Sequence, residues 1–346
     1  MQIASSGSTG SVRYVPPPDA HLLAKALERA SGGPVTIDGL RRLSGGASRE
    51  TWAFDALDEA GRRDRLVLRR DPGEHHIGQT DRSTEFALLR AAAAAGVPVP
   101  AVRLLLEPGD DLGAGFVMER VEGETIPRKI LRDDAYLAAR PMLASQCGEI
   151  AARIHAVDRP ALPALPALPT LGARAQLDQY RELLDAFGEP HPAFELALQW
   201  LDRHEPPTVE PPRLVHGDFR NGNLIVGPEG VRAVLDWELA HLGDPVEDLG
   251  WLCVKSWRFG VADHVVGGFG DVDTLLGAYE AASGRRVPLD ALRFWIVLGT
   301  VKWGVICISQ AFTHLTGVVR SVELATLGRR VAEMEWDVLD LLDGGW

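Results

Sequence analysis

Asp218, Asn223 and Asp236 are the residues whose types and spacing carry chemistry most directly. In 214–226 a polar loop, His-Gly-Asp-Phe-Arg-Asn-Gly-Asn, runs into an apolar stretch. Gly-Pro-Glu-Gly (227–230) then leads into a second apolar stretch over 231–235. Two short apolar runs around a four-residue turn predict a β-hairpin. Asn223 begins its first strand and Asp236 ends its second. An antiparallel pair brings those ends together, so an amide and a carboxylate oxygen converge where a hard cation would bind. Asp218, five residues before Asn223, sits on the same loop. One carboxylate to accept or align a hydroxyl proton, and others to hold a phosphate-neutralising metal, is the arrangement phosphoryl transfer needs.

The stretch resembles the His-x-Asp-x-x-x-x-Asn catalytic loop of aminoglycoside phosphotransferases and choline kinases, relatives of the protein kinases. His216, Asp218 and Asn223 stand at the three motif positions. Asp236, in Asp-Trp-Glu, is similar to the metal aspartate that protein kinases carry in Asp-Phe-Gly. Gly-Asp-Pro-Val-Glu-Asp-Leu (243–249) resembles the segment whose last aspartate, here Asp248, braces the catalytic loop. The resemblance runs from about residue 39 to the final helices, and its specific part is 214–249.

What the resemblance implies is an α+β, bilobal protein-kinase-like fold, with a small β-rich N-terminal lobe and a larger helical C-terminal lobe. The implied reaction is Mg2+-dependent transfer of the γ-phosphate of ATP, or GTP, to a small-molecule hydroxyl, with Asp218 as base and Asn223 and Asp236 on the metal. His216 is expected to hold the metal-binding segment by a hydrogen bond rather than to carry protons. Arg220, two residues after Asp218, stands where protein kinases often have a lysine facing the transferring phosphate. Charge neutralisation and a surface salt bridge are both open to it.

A kinase also needs a phosphate cover, a cation and a purine slot. Ser-Gly-Gly-Ala-Ser-Arg-Glu-Thr (44–51) lies between two predicted strands. Its Gly45 and Gly46 let backbone amides approach phosphate, and Ser48 adds a hydroxyl. Leu-Val-Leu-Arg-Arg (66–70) is similar to the third strand of protein kinases but has no lysine. Strand alternation points Arg69 to the site and Arg70 away from it. Glu85, early in the next helix, is the candidate partner of Arg69, with a solvated helix residue as the alternative. Met-Glu-Arg-Val (118–121) resembles the hinge, where the backbones of Glu119 and Val121 would meet the purine.

The elements that must position these residues follow from periodicity. A helix is predicted over 21–31, and strands over 40–43, 51–56, 66–70, 102–106 and 116–119. One helix interrupts them, capped near 81–83 and stopped by Gly96 and Pro98. After Gly123 the pattern turns helical. Asp133 or Asp134 is expected to cap a long helix through Leu143, Cys147, Ile150 and Ile154, with further helices over 173–187, 193–204, 272–283, 289–310 and 320–343. Ala-Leu-Pro repeats in 161–172 predict a polyproline strap along the surface. The domain reading is a flexible tail over 1–18, a nucleotide-binding lobe over 19–119 and a catalytic, substrate-binding lobe over 120–346.

Composition bounds the rest. A net charge of −12 argues against nucleic-acid and membrane-surface partners, which are themselves anionic. Three widely spaced cysteines form neither a disulfide framework nor a zinc pattern, which suits a reducing cytoplasm. The apolar run over 296–308 is interrupted by Lys302 and reads as a buried helix too short to span a membrane.

Other functions stay open at this point. A catalytically inactive kinase-like module would bind nucleotide or a partner, and Arg69 in place of lysine leaves room for it. A metallohydrolase would need clustered histidines, and His75-His76 is one remote pair. The acceptor site falls in the helical lobe, where acidic residues (Glu238, Asp244, Glu247, Asp271, Asp273, Glu280) mix with cations and with Trp251, Trp257, Trp295 and Trp303. Leu-Asp-Trp-Glu-Leu-Ala-His-Leu-Gly-Asp (235–244), with Gly-Val-Pro-Val-Pro (96–100), is most similar to a subgroup that includes kinase domains fused to acyl-CoA dehydrogenases, which act on hydroxyacyl-CoA. A hydroxyacyl thioester therefore competes with an aminoglycoside-like molecule as the implied acceptor.

Overall fold

The computed structural model describes residues 17–43, 50–71, 80–157 and 168–346. The Ser- and Gly-rich start, the loop with Gly45, Gly46 and Ser48, the His75-His76 pair and most of the Ala-Leu-Pro tract lie outside these residues. The described chain divides into two compact units. One comprises 17–123 and Arg232–Leu239; the other comprises 124–157, Leu168–Val231 and Ala240–Trp346. The segment carrying Asp236 thus falls in the first unit, whereas the sequence reading assigned it to the C-terminal lobe.

The first unit opens with α1 (Ala20–Ser31), whose start is fixed by Asp19 accepting the His21 and Leu22 amides. It ends at Gly32, at φ 77°. Five strands follow: β1 (Val35–Arg42), β2 (Glu50–Asp58), β3 (Arg63–Asp71), β4 (Val102–Leu105) and β5 (Ala114–Glu119). They form one antiparallel sheet in the order β1-β2-β3-β5-β4. Trp52, Phe54, Leu66, Leu68 and Val117 share one core with Leu23, Ala26 and Leu27 of α1. β1 begins at Val35, earlier than the predicted residue 40. Its register shifts between Asp38 and Arg41, and Gly39 there has φ 64°. This irregular glycine interrupts the strand pattern, so that only the half after it was read from sequence. Between β3 and β4 lies α2 (Arg82–Ala94), with Asp81 accepting the Thr84 amide.

The second unit is mostly helical. Where one long helix was expected from Asp133 or Asp134, α3 (Pro127–Arg132) stops at Asp133 and a 3-10 turn spans Asp134–Tyr136. α4 (Arg140–His155) then starts afresh, with Pro141 in its first turn, where a missing N–H costs nothing. α5 (Ala173–Phe187) and α6 (Pro192–Arg203) match their predicted spans closely. β6 (Arg213–Val215) pairs later in the chain with β9 (His241–Gly243). Thr170, at the end of the Ala-Leu-Pro tract, bridges to Leu242. Between them in the chain comes the predicted hairpin of β7 (Leu224–Gly227) and β8 (Gly230–Val234), the latter belonging to the first unit from Arg232 onward.

α7 (Val246–Cys253), absent from the sequence reading as a helix, follows β9, and α8 (Val272–Ser283) packs on α4. α9 (Leu289–Leu315) has 27 residues and is long and apolar enough to cross a membrane, contrary to the shorter span read from sequence. Its most apolar window is 78% buried within the protein, as in a core helix. The last predicted helix is two, α10 (Val322–Gly328) and α11 (Val331–Leu342). Met334, Val338 and Leu341 of α11 are buried, and the helix packs on α6 and α9.

The α4–α8 contact generates a direct test. A Cβ on Gly148 of α4 would lie 2.4 Å from the Leu275 carbonyl and 2.9 Å from the Tyr279 amide, both rigid backbone. Gly148→Ala is expected to cost about 1–3 kcal/mol and lower Tm. At Gly277 of α8 a Cβ meets nothing within 4 Å. Gly277→Ala is expected to gain about 0.5–1 kcal/mol from helix propensity. Thermal melts of the two variants check both signs.

Candidate active site

In the second unit the loop between β6 and β7 is pinned by Asp248 of α7, a carboxylate with no solvent exposure. Its Oδ2 accepts the His216 amide at 2.8 Å and its Oδ1 the Gly217 amide at 3.0 Å. Gly217 has φ 80°, the left-handed conformation that glycine adopts most readily, at this turn of the loop. His155 of α4 places Nε2 3.0 Å from Asp248 Oδ2 and Nδ1 3.1 Å from the Tyr279 hydroxyl. Burial works to raise the Asp248 carboxyl, but the His155 bond and charge, with His216, outweigh it and hold the group below its ordinary value. His216, fully buried, accepts the Asp218 amide on Nδ1 at 3.2 Å, so it shapes the loop itself.

Asp218 then presents a carboxylate fixed at both oxygens. Oδ1 accepts Arg220 Nε at 2.9 Å and the Trp251 indole N–H at 2.7 Å. Oδ2 accepts Asn223 Nδ2 at 2.6 Å, and the same amide group also reaches the Asp218 carbonyl at 2.9 Å. Arg220 therefore pairs with Asp218 itself rather than with a distant surface acid. Its guanidinium also lies 4.4 Å from the Trp257 ring centroid.

Lys302 of α9, wholly inside apolar surroundings by sequence, donates to the Gly217 carbonyl at 3.0 Å and stands 3.5 Å from Glu247 Oε1. Burial pushes this ammonium down, yet Tyr180, Glu247, Asp218 and Asp248 together keep it above its ordinary value. Glu247 in turn receives Gln176 at 2.6 Å and His241 at 3.0 Å.

The first unit holds the other predicted residues. Arg69 of β3 reaches Glu85 at 3.1 Å and Asp236 at 2.8 Å, while Arg70, its neighbour, turns to Glu50. Burial would lower the Arg69 guanidinium, but Glu85, Asp236 and Glu238 raise it, so it stays charged. Glu85 has no solvent exposure and also pairs with Arg82, which removes the solvated-residue alternative. No acceptor among the described residues reaches the buried Arg69 Nε. Asp236 sits at φ 61°, rare for a non-glycine residue. At the expected hinge the Glu119 amide already donates to Ala101, so it is not free for a purine. Among the described residues no backbone acceptor reaches the Val121 amide.

Among the residues of this arrangement that were not assigned from sequence are Trp251, Lys302 and His155. Trp251 lies three residues after Asp248, on the same face of α7. Lys302 had a signal, a lone charge in an apolar helix that must find a partner. His155 had none, because its partners come from α7 and α8.

A profile of the phosphotransferase enzyme family matches residues 39–285. Over 331 residues the chain is 30% identical to acyl-CoA dehydrogenase family member 10 of Mus musculus, covering 89% of this chain and 29% of that protein. The chain thus spans about three tenths of that relative's length. A crystal structure from Ralstonia eutropha, assigned as an aminoglycoside phosphotransferase, superposes with a TM-score of 0.74 at 23% identity, covering 94% and 98% of the two chains. A spectinomycin phosphotransferase solved with ADP and spectinomycin gives 0.62 at 13% identity, covering 94% and 99%. The fold is the α+β, bilobal protein-kinase-like one expected from sequence. The chain belongs to the phosphotransferase enzyme family.

The depressed Asp248 carboxyl fixes a pH signature. A folded value below the unfolded one, about 3.9 for aspartate, gives stability that is present above that pH and lost as pH falls through the folded value. Asp248→Asn is expected to lower stability near pH 7 by about 3 kcal/mol and to flatten the acid limb of Tm against pH. Melts from pH 2 to 8 check it; parallel curves for the two proteins would contradict the assignment.

Proposed function

We propose that the chain is a Mg2+-dependent small-molecule kinase that moves the γ-phosphate of ATP, or of GTP, to a substrate hydroxyl with Asp218 as the base. The observation that carries this reading is the Asp218 carboxylate, held at both oxygens by Trp251, Arg220 and Asn223 on a loop pinned by Asp248. As the acceptor oxygen bonds to phosphorus and the bond to the departing nucleoside diphosphate breaks, the hydroxyl proton passes to Asp218. Arg220, which pairs with that carboxylate, is proposed to offset negative charge growing at the transferring group.

Asn223 and Asp236 offer amide and carboxylate oxygens, the donor chemistry that suits Mg2+. The bound metal would neutralise the nucleotide phosphates. Arg69 is the proposed phosphate cation, supported by its buried Nε, which no described acceptor meets. A planar guanidinium replaces the usual point charge there. Gly45, Gly46 and Ser48 are proposed to cover the phosphates, and the hinge around Glu119 and Val121 to meet the purine, with the Val121 amide as the open donor. The acceptor proposed first is a hydroxyacyl thioester, supported by the similarity to acyl-CoA dehydrogenase family member 10. An aminoglycoside-like molecule is second.

ADP release with hydroxyacyl-CoAs, aminoglycosides, choline and sugars tests the reading. Asp218→Asn is expected to lower kcat about 10²–10⁴-fold with nucleotide binding kept. Nucleotide binding without turnover in the wild type would favour a catalytically inactive module. Trp251→Phe removes one donor to a charged oxygen and is expected to lower kcat by about tenfold with KM for nucleotide unchanged; an unchanged kcat would show that the indole does not position Asp218.

A further inference from the structure

The second unit contains an open cavity of about 1090 Å³ between α3, the 3-10 turn at Lys255–Arg258 and α11. It adjoins the catalytic loop by two routes. Pro127 of its rim lies 3.6 Å from where a Cβ on Gly222 would be, one residue before Asn223. Phe259 of its wall packs against the cluster of Trp251, Val254 and Trp257, and the Trp257 ring carries Arg220, the partner of Asp218.

The charge of this cavity runs against that of the chain. Arg128, Arg132, Lys255 and Arg330 line it against two carboxylates, Glu333 and Asp337, in a protein of net charge −12. Those carboxylates are occupied: Asp337 pairs with Lys255 at 2.9 Å and Glu333 with Arg330 at 3.1 Å. Arg128 and Arg132 are exposed, stand four residues apart on α3 and meet no carboxylate among the described residues. Trp336, on the rim, is 70% exposed, an unusual position for an indole that nothing covers.

Three of the six acids that sequence offered for a cationic acceptor are engaged elsewhere. Asp244 and Glu247 are buried, and Asp271 caps α8. A cavity with surplus guanidinium groups repels an aminoglycoside and suits a phosphate-bearing molecule, which arginine binds through a planar fork.

We infer that this cavity binds the phosphate-bearing end of the acceptor, with Arg128 and Arg132 as the specificity-determining cations and Phe259 and Trp336 as apolar walls. The inference rests on the reading of Asp218 as the base, since it places the acceptor beside that residue. Two sources share this chemistry, a coenzyme-A thioester and a phosphorylated sugar.

Calorimetric titration separates them without needing turnover, so its outcome does not depend on catalysis. The full chain, saturated with MgADP to fill the nucleotide site, is titrated with coenzyme A, glucose 6-phosphate and kanamycin. The expected result is binding of coenzyme A or glucose 6-phosphate that weakens at least tenfold in Arg128→Glu/Arg132→Glu and in the milder Arg128→Gln/Arg132→Gln. The same binding should weaken with added salt and stay within twofold in Arg203→Glu, a control on α6. Coenzyme A alone binding identifies the thioester source, and glucose 6-phosphate binding equally well identifies phosphate as the feature read. Binding that ignores both double variants, binding of kanamycin in place of the anions, or binding of none of the three overturns the inference.

Discussion

A carboxylate shut away from water must find its hydrogen-bond donors in the fold, and Asp248 finds them in two successive loop amides and an imidazole. Leaving a buried charge unpaired costs several kcal/mol, so the loop from His216 onward is held to the one path that meets those donors. Gly217 in the left-handed region makes the path sterically accessible. Lys302 then anchors the outward carbonyl of the same glycine, and Glu247 keeps Lys302 in place. Donors and acceptors of the loop are thereby both satisfied from the helical core. The position of Asp218 is a consequence of this frame rather than of its own contacts alone.

Charge in the second unit is sorted by depth. The acids nearest the loop are buried and committed to imidazole, amide, indole and ammonium partners. Arginines with no acidic partner are left at the cavity beside α3. In the first unit a single guanidinium, Arg69, is gripped by Glu85 and Asp236, and Arg82 is packed behind Glu85. An arginine at this position keeps the ion pair that a lysine would make, but spreads its charge over a plane with a further N–H to offer.

Much of this was legible in the sequence where the signal is local. The hairpin of β7 and β8, the cap at Asp81 and the alternation of Arg69 and Arg70 each depend on residues within a few positions of one another. The motif resemblance also singled out Asp248, which accepts two loop amides. Illegible features were those decided by distant partners. The 3-10 turn and the fresh start of α4 at Pro141 break a pattern that periodicity alone carries through. The tryptophans read as ordinary core, and Trp251 is buried, yet its one polar atom faces Asp218. His155 looked like any helical histidine until α7 and α8 were placed against it.

Held in this frame, the Asp218 carboxylate is proposed to take the proton of a hydroxyl as phosphate is transferred to it. Phosphorus NMR on the wild-type chain with MgATP and a hydroxyacyl-CoA follows the phosphate itself. A phosphate-monoester resonance on the acceptor that grows in step with ADP is expected. Phosphate appearing only as the inorganic ion, with the acceptor unchanged, would contradict it.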